Sequence, residues 1–460
     1  MATGWGAEAL QDGPIAGPPA ARSRGTIVLW TIACAWVAIL ILILRHAVFV
    51  ADDAISNYGH VWYVSDRIWR FHHVPWSMPV IGHGKALAFP YALVPWLSAA
   101  LLRPLVGDWI VTLWLVVGTV GFIAATFWAF PELRRNWWAA AVLVNPALVV
   151  AAIIGQLPFL WGAAMLMGAV ACWRRRRYGL AAVLAGLGQA THPAVVLPMG
   201  MVLVAWWWRW EPDRRRLLRY YTASLLPAIP AALLVFASPV FGDSDPVVVA
   251  TSFFGTLGVR ILVLAVPIAL VAVQRRQQST TTPSPVAAHF ASAVCVVLLI
   301  SNVALVGPLE AQYSWGALNR KPDTELLTFI KSSEFDPGAT YRILRAHDGK
   351  IGMYQLVQHD ARLDSEFFPE SIARNSWPNV TKYSQFLRGR RVDYVIVFDS
   401  YDREWRTNEH QLLRDLVEQG PDGCDASRVG VGELSAGRAF DVYRIRRDCD
   451  AAAEVIDARR

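Results

Sequence analysis

Two adjacent carboxylates, Asp52 and Asp53, lie just beyond an uncharged run from Gly25 to Leu44. That run is long enough to span a bilayer. A carboxylate at a membrane boundary can take a proton from an acceptor hydroxyl, or help to ligate a divalent cation, at headgroup level. The same pair could also begin a solvated loop, since only carboxylates deep inside a span are functional by default. Nearby polar residues include Tyr58, His83 and Lys85, interleaved with Trp62, Tyr63, Trp69, Phe71 and Trp76. Such a mixture suits an amphipathic helix at the membrane surface. Further along stand Gln156, His192 and Arg260, each at the edge of an apolar segment. Arg260 matches phosphate geometry and could clamp a phosphate, or snorkel to headgroups. His72, His73 and His83 show no i,i+4 pairing that would mark a metal site.

The elements that must position these residues are apolar. Of 460 residues 55% are hydrophobic and 17% charged, and 21 are Trp. This composition excludes a disordered chain and a small disulfide scaffold. The net charge of +7 is unevenly spread: residues 1–307 carry a balance of +10 and residues 308–460 a balance of −3. The positive charge punctuates apolar runs, which is a membrane pattern rather than a nucleic-acid one. Clusters at Arg134-Arg135, Arg174 to Arg177, Arg209 with Arg214 to Arg216, and Arg275-Arg276 occupy alternate connections.

The first 25 residues read as a disordered cytoplasmic tail. Spans are expected at Gly25–Leu44 and near 110–130, 137–153, 157–173, 179–192, 194–208, 220–238, 259–273 and 287–306. Ala86 to Leu102, with Pro90 and Pro95, reads as an interfacial helix that does not cross. That gives about nine crossings, a cytoplasmic N-terminus and an outer C-terminal region. The expected architecture is an α-helical polytopic bundle over 26–307, with a large first outer loop at 45–108, and an extracytoplasmic α/β domain over 308–460.

Within the last region, Asp323 to Ser333 has helical spacing and Thr340 to Leu344 reads as a strand. Val392 to Phe398 is a buried-strand run, Asn408 to Glu418 a helix, and Val429 to Ile445 a hairpin turning at Ser435-Ala436-Gly437. Cys34, Cys172 and Cys295 fall in spans and read as buried apolar residues. Cys424 and Cys449 bracket the hairpin in a compartment that permits a disulfide, so they are expected to pair, with two free thiols as the alternative. There is no CxxC, Walker loop, GxGxxG or GxSxG.

The segment Ala51-Asp52-Asp53-Ala54-Ile55-Ser56-Asn57-Tyr58 resembles the start of the first outer loop in GT-C glycosyltransferases. Phe89-Pro90-Tyr91 through Trp96 resembles the interfacial helix before their second span. Gly155-Gln156-Leu157-Pro158-Phe159, the Arg174 to Arg177 cluster and Thr191-His192-Pro193 resemble the bacterial polyprenyl-phosphate-mannose branch, which often has Lys where His192 stands. The resemblance spans roughly residues 26–306 in layout. It implies an inverting, lipid-phosphate-sugar-dependent transferase of the mannosyl- or arabinosyltransferase kind, working in cell-envelope assembly. Asp53 or Asp52 would be the catalytic base, and Arg260 with His192 or Lys85 would hold the donor phosphate. Gln156, Tyr58 and His83 would contact substrate. The implied partners are membrane lipids, a polyprenyl-phosphate sugar and a glycan or glycolipid acceptor, with no nucleic acid. A divalent cation on the Asp pair is left open. A lipid-linked-sugar flippase would need ionisable residues near the midplane and repeated halves, and neither is evident. A non-catalytic envelope scaffold is the other alternative.

Overall fold

The structure is a computed structural model that describes residues 24–48, 54–78, 87–88, 91–209, 211–238, 260–274, 286–313, 324–344, 350–364, 377–398, 402, 407–419, 426–433 and 439–445. Apolar runs free of charge form helices because intrahelical bonds satisfy every interior backbone group without water. In order the helices are α1 (Arg24–Ile43), α2 (Ala54–Phe71), α3 (Leu93–Val106), α4 (Trp109–Ala129), α5 (Asn136–Leu143), α6 (Pro146–Ile153) and α7 (Leu157–Arg174). They continue as α8 (Tyr178–Thr191), α9 (Pro193–Trp208), α10 (Arg214–Phe236), α11 (Arg260–Gln274) and α12 (Val286–Tyr313). Among the described residues, α1, α4, α7 and α10 have the length and apolarity of membrane spans, and α5 with α6 counts as a fifth, bent one. Helices α3, α9 and α11 are apolar but shorter. The outward faces are apolar: Trp30 is 67% exposed, Leu226 73% and Val303 77%. Apolar surface on that scale calls for lipid, since soluble monomers rarely show it.

The stretch read as one span at 137–153 bends by 45° between α5 and α6. Pro146 lacks the N–H that would continue the ladder. Asn145 caps α6 by accepting from Ala147 N, and its amide donates to Leu262 O on α11 at 2.9 Å. The carbonyls left at the break are met from elsewhere: Trp36 Nε1 donates to Leu143 O at 2.9 Å and Asn302 Nδ2 to Val144 O at 2.7 Å.

The expected interfacial helix at 86–102 is also corrected. Leu87–Ala88 forms a short strand, β2, paired antiparallel with β1 (Ser77–Met78), and the helix is α3 instead. Ala92 sits before it with φ of +53°, which breaks helical continuity. Fourteen residues rise about 21 Å, short of the ~30 Å hydrocarbon core. Of the three cysteines read as buried, Cys172 and Cys295 are, but Cys34 is exposed. Helix α1 buries one side, through Ile32, Trp36 and Ile43, and Cys34 lies on the other.

After α12 come α13 (Thr324–Ile330), β3 (Thr340–Leu344), α14 (Lys350–Gln358), β4 (Arg362–Leu363), α15 (Val380–Gly389), β5 (Tyr394–Phe398), α16 (Glu409–Gln419), β6 (Ala426–Glu433) and β7 (Ala439–Ile445). The strands form one mixed sheet in the order β4-β3-β5-β7-β6, with β3 parallel to β4 and β5, and β7 antiparallel to β5 and β6. Strand alternation gives each face its own core. Tyr341, Ile343 and Ile396 join an apolar cluster continuous with the helical bundle, whereas Leu344, Val395 and Val397 pack with Leu387 and Leu413 under α15 and α16. Asn379, the first residue of an Asn-Val-Thr glycosylation sequon, is the N-cap of α15, accepting from Lys382 N at 2.9 Å. The hairpin turn at 435–437, Cys424 and Cys449 lie outside the described residues.

Helix α14 fastens the sheet to the bundle. Tyr354 donates to Asp108 Oδ1 at 2.6 Å, and Arg103 Nη2 donates to the same oxygen at 3.1 Å. The Tyr354 ring lies 5.6 Å from that of Tyr58 on α2.

Candidate functional site

Three of the residues singled out in sequence meet at one end of the bundle. Gln156 is the N-cap residue of α7, His192 joins α8 to α9, and Arg260 is the first residue of α11. Arg260 Nε donates to Gln156 Oε1 at 3.0 Å, and its Nη1 lies 3.5 Å from His192 Nε2. Gln156 and His192 are 6% and 4% exposed, so the guanidinium is held by buried partners. The His192 ring is flanked by Tyr91 at 5.9 Å and Phe159 at 5.8 Å.

Local sequence explains the convergence. Pro158 and Pro193 fit the first turns of α7 and α9, where a missing N–H costs nothing. Gly155 takes φ of +79° to turn the chain from α6 into α7. It also lets the chain of α2 approach: a Cβ on Gly155 would overlap the Cβ of Ala54. Ala54 N donates to Ile154 O at 3.2 Å, and Asn57 Nδ2 to Gly155 O at 3.1 Å. Trp96 Nε1 donates to Asn57 Oδ1 at 2.9 Å, which ties α3 to the same turn. Ala92 N donates to Thr191 O at 3.1 Å, beside His192.

Helices α2, α7, α9 and α11 therefore all begin at this end. Helix N-termini carry partial positive charge and free N–H groups. Together with Arg260 they make a place suited to an anion such as a phosphate.

His60 on α2 sits beside this turn. Its ring stacks on Trp96 at 4.4 Å, and Nδ1 is 2.7 Å from Ser56 O. Burial pulls its pKa down to about 4, against a weaker upward pull from the Ser56 bond. At neutral pH the ring is uncharged, so Nδ1–H donates and Nε2 is bare. Nε2 has no hydrogen-bond partner among the described residues.

Tyr58, expected to contact substrate, lies on α2. Its ring is buried, and its hydroxyl bonds to Thr112 Oγ1 at 2.5 Å and donates to Ala47 O at 3.0 Å. Asp52, Asp53, His83 and Lys85 lie outside the described residues. Asp53 is joined to Ala54 by one peptide bond, and Ala54 is the residue bonded to Ile154, two positions before Gln156. Among the described residues no cluster of three His, Cys, Asp or Glu could hold a metal ion. Sequence reading passed over Asn57 and His60 as site residues. Their signal was spacing, because positions 57 and 60 fall on one face of a helix that starts at Ala54.

Fold and site thus describe a helical protein with several helices of span length and apolarity and an arginine-centred polar cluster at one end. No protein-family model matches the chain, and no curated protein matches it by sequence. Two solved structures are similar in outline. One is the Archaeoglobus fulgidus oligosaccharyltransferase in complex with zinc and sulfate, at 14% identity and a TM-score of 0.46, over 81% of this chain and 68% of that one. The other is the archaeal oligosaccharyltransferase AglB from Archaeoglobus fulgidus in complex with an inhibitory peptide and a dolichol-phosphate, at 12% identity and a TM-score of 0.46, over 82% of this chain and 69% of that one.

Proposed function

We propose that this chain is an integral membrane glycosyltransferase of the GT-C type. It moves a sugar from a polyprenyl-phosphate donor to a hydroxyl of a cell-envelope glycan or glycolipid on the outer face of the membrane. The observation that carries the reading is Arg260 held by buried Gln156 and His192 where four helices begin, next to the chain that leaves the Asp pair.

In this mechanism Asp53, or Asp52, accepts the proton of the acceptor hydroxyl. The hydroxyl oxygen forms a bond to the anomeric carbon as the bond from that carbon to the phosphate oxygen breaks. The phosphate leaves with the electron pair, and configuration inverts because attack and departure are on opposite sides. Arg260 and the helix N-termini stabilise the charge that grows on the leaving phosphate. Gln156 and His192 keep the guanidinium in place, so no reorganisation is needed as charge develops. Lys85 is a second candidate cation for that phosphate, and His83 a candidate acceptor contact. The sheet of the C-terminal region guides the acceptor. The N-terminus is cytoplasmic and residues 308–460 are outside.

The test uses Asp53→Asn, Asp52→Asn and the double variant with a polyprenyl-phosphate sugar. Loss of the general base lowers transfer by about 100-fold or more while donor binding persists. Arg260→Gln instead weakens donor binding by about tenfold or more, the scale of a lost charged hydrogen bond. Full activity of all three Asp variants would refute the catalytic assignment.

A further inference from the structure

A cavity of about 80 Å³ lies in the half of the bundle away from Arg260, between α7, α8, α9 and α10. Helices α7 and α9 run from the Arg260 end towards it, and α8 and α10 start from its far end. Its walls are apolar, built from Leu166, Val170, Ala181, Ala185, Leu203 and Val204. Gln189 closes the floor, packed under Gly200, with its amide donating to Ser224 Oγ at 3.3 Å. From Ala181 to Gln189 the helix rises about 12 Å, so the space is elongated along the bundle.

The rim has a different chemistry. Trp173, Tyr178 and Tyr220 form an aromatic ring cluster, with Trp173 4.7 Å from Tyr178 and 6.2 Å from Tyr220. Beyond it lie the arginine-rich connections: residues 131–219 hold eleven Arg against three carboxylates. Two of those carboxylates are already used, Glu132 by Arg174 and Asp213 by Arg216. Arg214, Arg215, Arg216 and Arg219 all lie on exposed positions of the first turns of α10. Inside this rim the Tyr221 hydroxyl is buried and has no hydrogen-bond partner among the described residues. An apolar slot with a hydroxyl near its mouth and a cationic collar is the complement of an acyl chain, an ester carbonyl and an anionic headgroup.

We propose that this cavity binds one acyl chain of an anionic phospholipid, with Tyr221 donating to the ester carbonyl and the α10 arginines holding the headgroup. The site faces away from the Arg260 niche and is independent of the transferase reading; it rests only on the bundle being embedded in a membrane. Bound there, the lipid anchors the arginine-rich end at the headgroup level.

The full chain, delipidated in detergent, is titrated with dioleoyl phosphatidylglycerol or dioleoyl phosphatidylcholine and observed by native mass spectrometry. One phosphatidylglycerol binds per chain, about tenfold or more tighter than phosphatidylcholine, the scale of two interfacial Arg contacts. Ala185→Phe fills the slot and abolishes this stoichiometric binding. Arg215→Gln with Arg219→Gln, both on the surface, reduces the preference for phosphatidylglycerol to less than about threefold. Equal binding of the two lipids by the wild-type chain would overturn the proposal, as would unchanged binding by a folded Ala185→Phe variant. Displacement of phosphatidylglycerol by an equimolar polyprenyl phosphate would assign the cavity to an isoprenoid chain and likewise overturn it. Should Ala185→Phe not fold, the lipid preference of the wild-type chain and of the arginine double variant decides.

Discussion

Gly155→Ala tests the idea that one close approach builds the anion niche. Gly155 has φ of +79°, and a Cβ there would overlap Ala54 Cβ and lie 2.8 Å from Ala54 Cα and 2.9 Å from Ala54 N. Backbone atoms cannot rotate away, so α2 or the turn must shift. The left-handed conformation costs a residue with a side chain about 1–2 kcal/mol. Overpacking adds about 1–3 kcal/mol, and separating Ala54 N from Ile154 O forfeits about 1 kcal/mol. The expected loss is therefore about 4 kcal/mol, large for a single methyl group. Gly338→Ala is the internal control, because Gly338 has φ of +87° with nothing within 4 Å of its Cβ position. That variant loses only the conformational part, about 1–2 kcal/mol. Equilibrium unfolding in mixed micelles, with a rising fraction of denaturing detergent, measures both. Adding Ala54→Gly to Gly155→Ala removes the worst overlap but not the contacts with Cα and N, so recovery is partial. A Gly155→Ala variant no less stable than Gly338→Ala would refute the close approach. Transfer activity and donor binding should fall together in Gly155→Ala, since the shift displaces Gln156 and the start of α2.

Three further outcomes are expected. His60 is held neutral by burial with a pKa of about 4, whereas the unfolded chain protonates near 6.5, so its contribution is complete above about pH 6.5 and is lost as pH falls towards 4. That loss is about 2 kcal/mol at pH 5; a His60→Gln variant should show a shallower pH dependence, and identical slopes in the two proteins would contradict it. Glu409→Gln leaves buried Arg342 without its bidentate carboxylate, although Asp364 is still 3.2 Å away, and should destabilise the sheet region by about 3–5 kcal/mol, read by limited proteolysis and unfolding. Tyr354→Phe removes the donor to Asp108, which also takes Arg103, and should lower stability by about 1.5–3 kcal/mol; no change would mean that α14 is held to the bundle by apolar contacts alone.

The sequence alone determined those features that depend on local composition and period. Uncharged runs became helices, because a chain segment without charges and with its backbone bonds satisfied internally has one favourable form. VDYVIVF at 392–398 became the central strand β5, and 408–418 became α16, since an apolar face of period 2 or 3.6 is legible in a short window. The hairpin of β6 and β7 followed from the same rule. Short, polar or interrupted pieces were not legible. α14, β4 and α15 went unread, as β4 has two residues and draws its stability from its neighbour β3 rather than from its own pattern. The 86–102 stretch reads as one apolar helix, but pairing between β1 and β2 and the left-handed Ala92 divide it.

The site divides in the same way. Gln156, His192 and Arg260 could be picked out because polar residues stand out at the ends of apolar runs. Their meeting could not, since Arg260 is 104 residues from Gln156 and 68 from His192, and no local pattern encodes such a distance. Likewise the bond between the Tyr58 hydroxyl and Thr112, 54 residues away, is not encoded in any local pattern. Tertiary structure alone decided that the helix starts of α2, α7, α9 and α11 share one end. Helix-end charge becomes a binding feature only where several ends converge, and convergence is set by packing across the whole bundle.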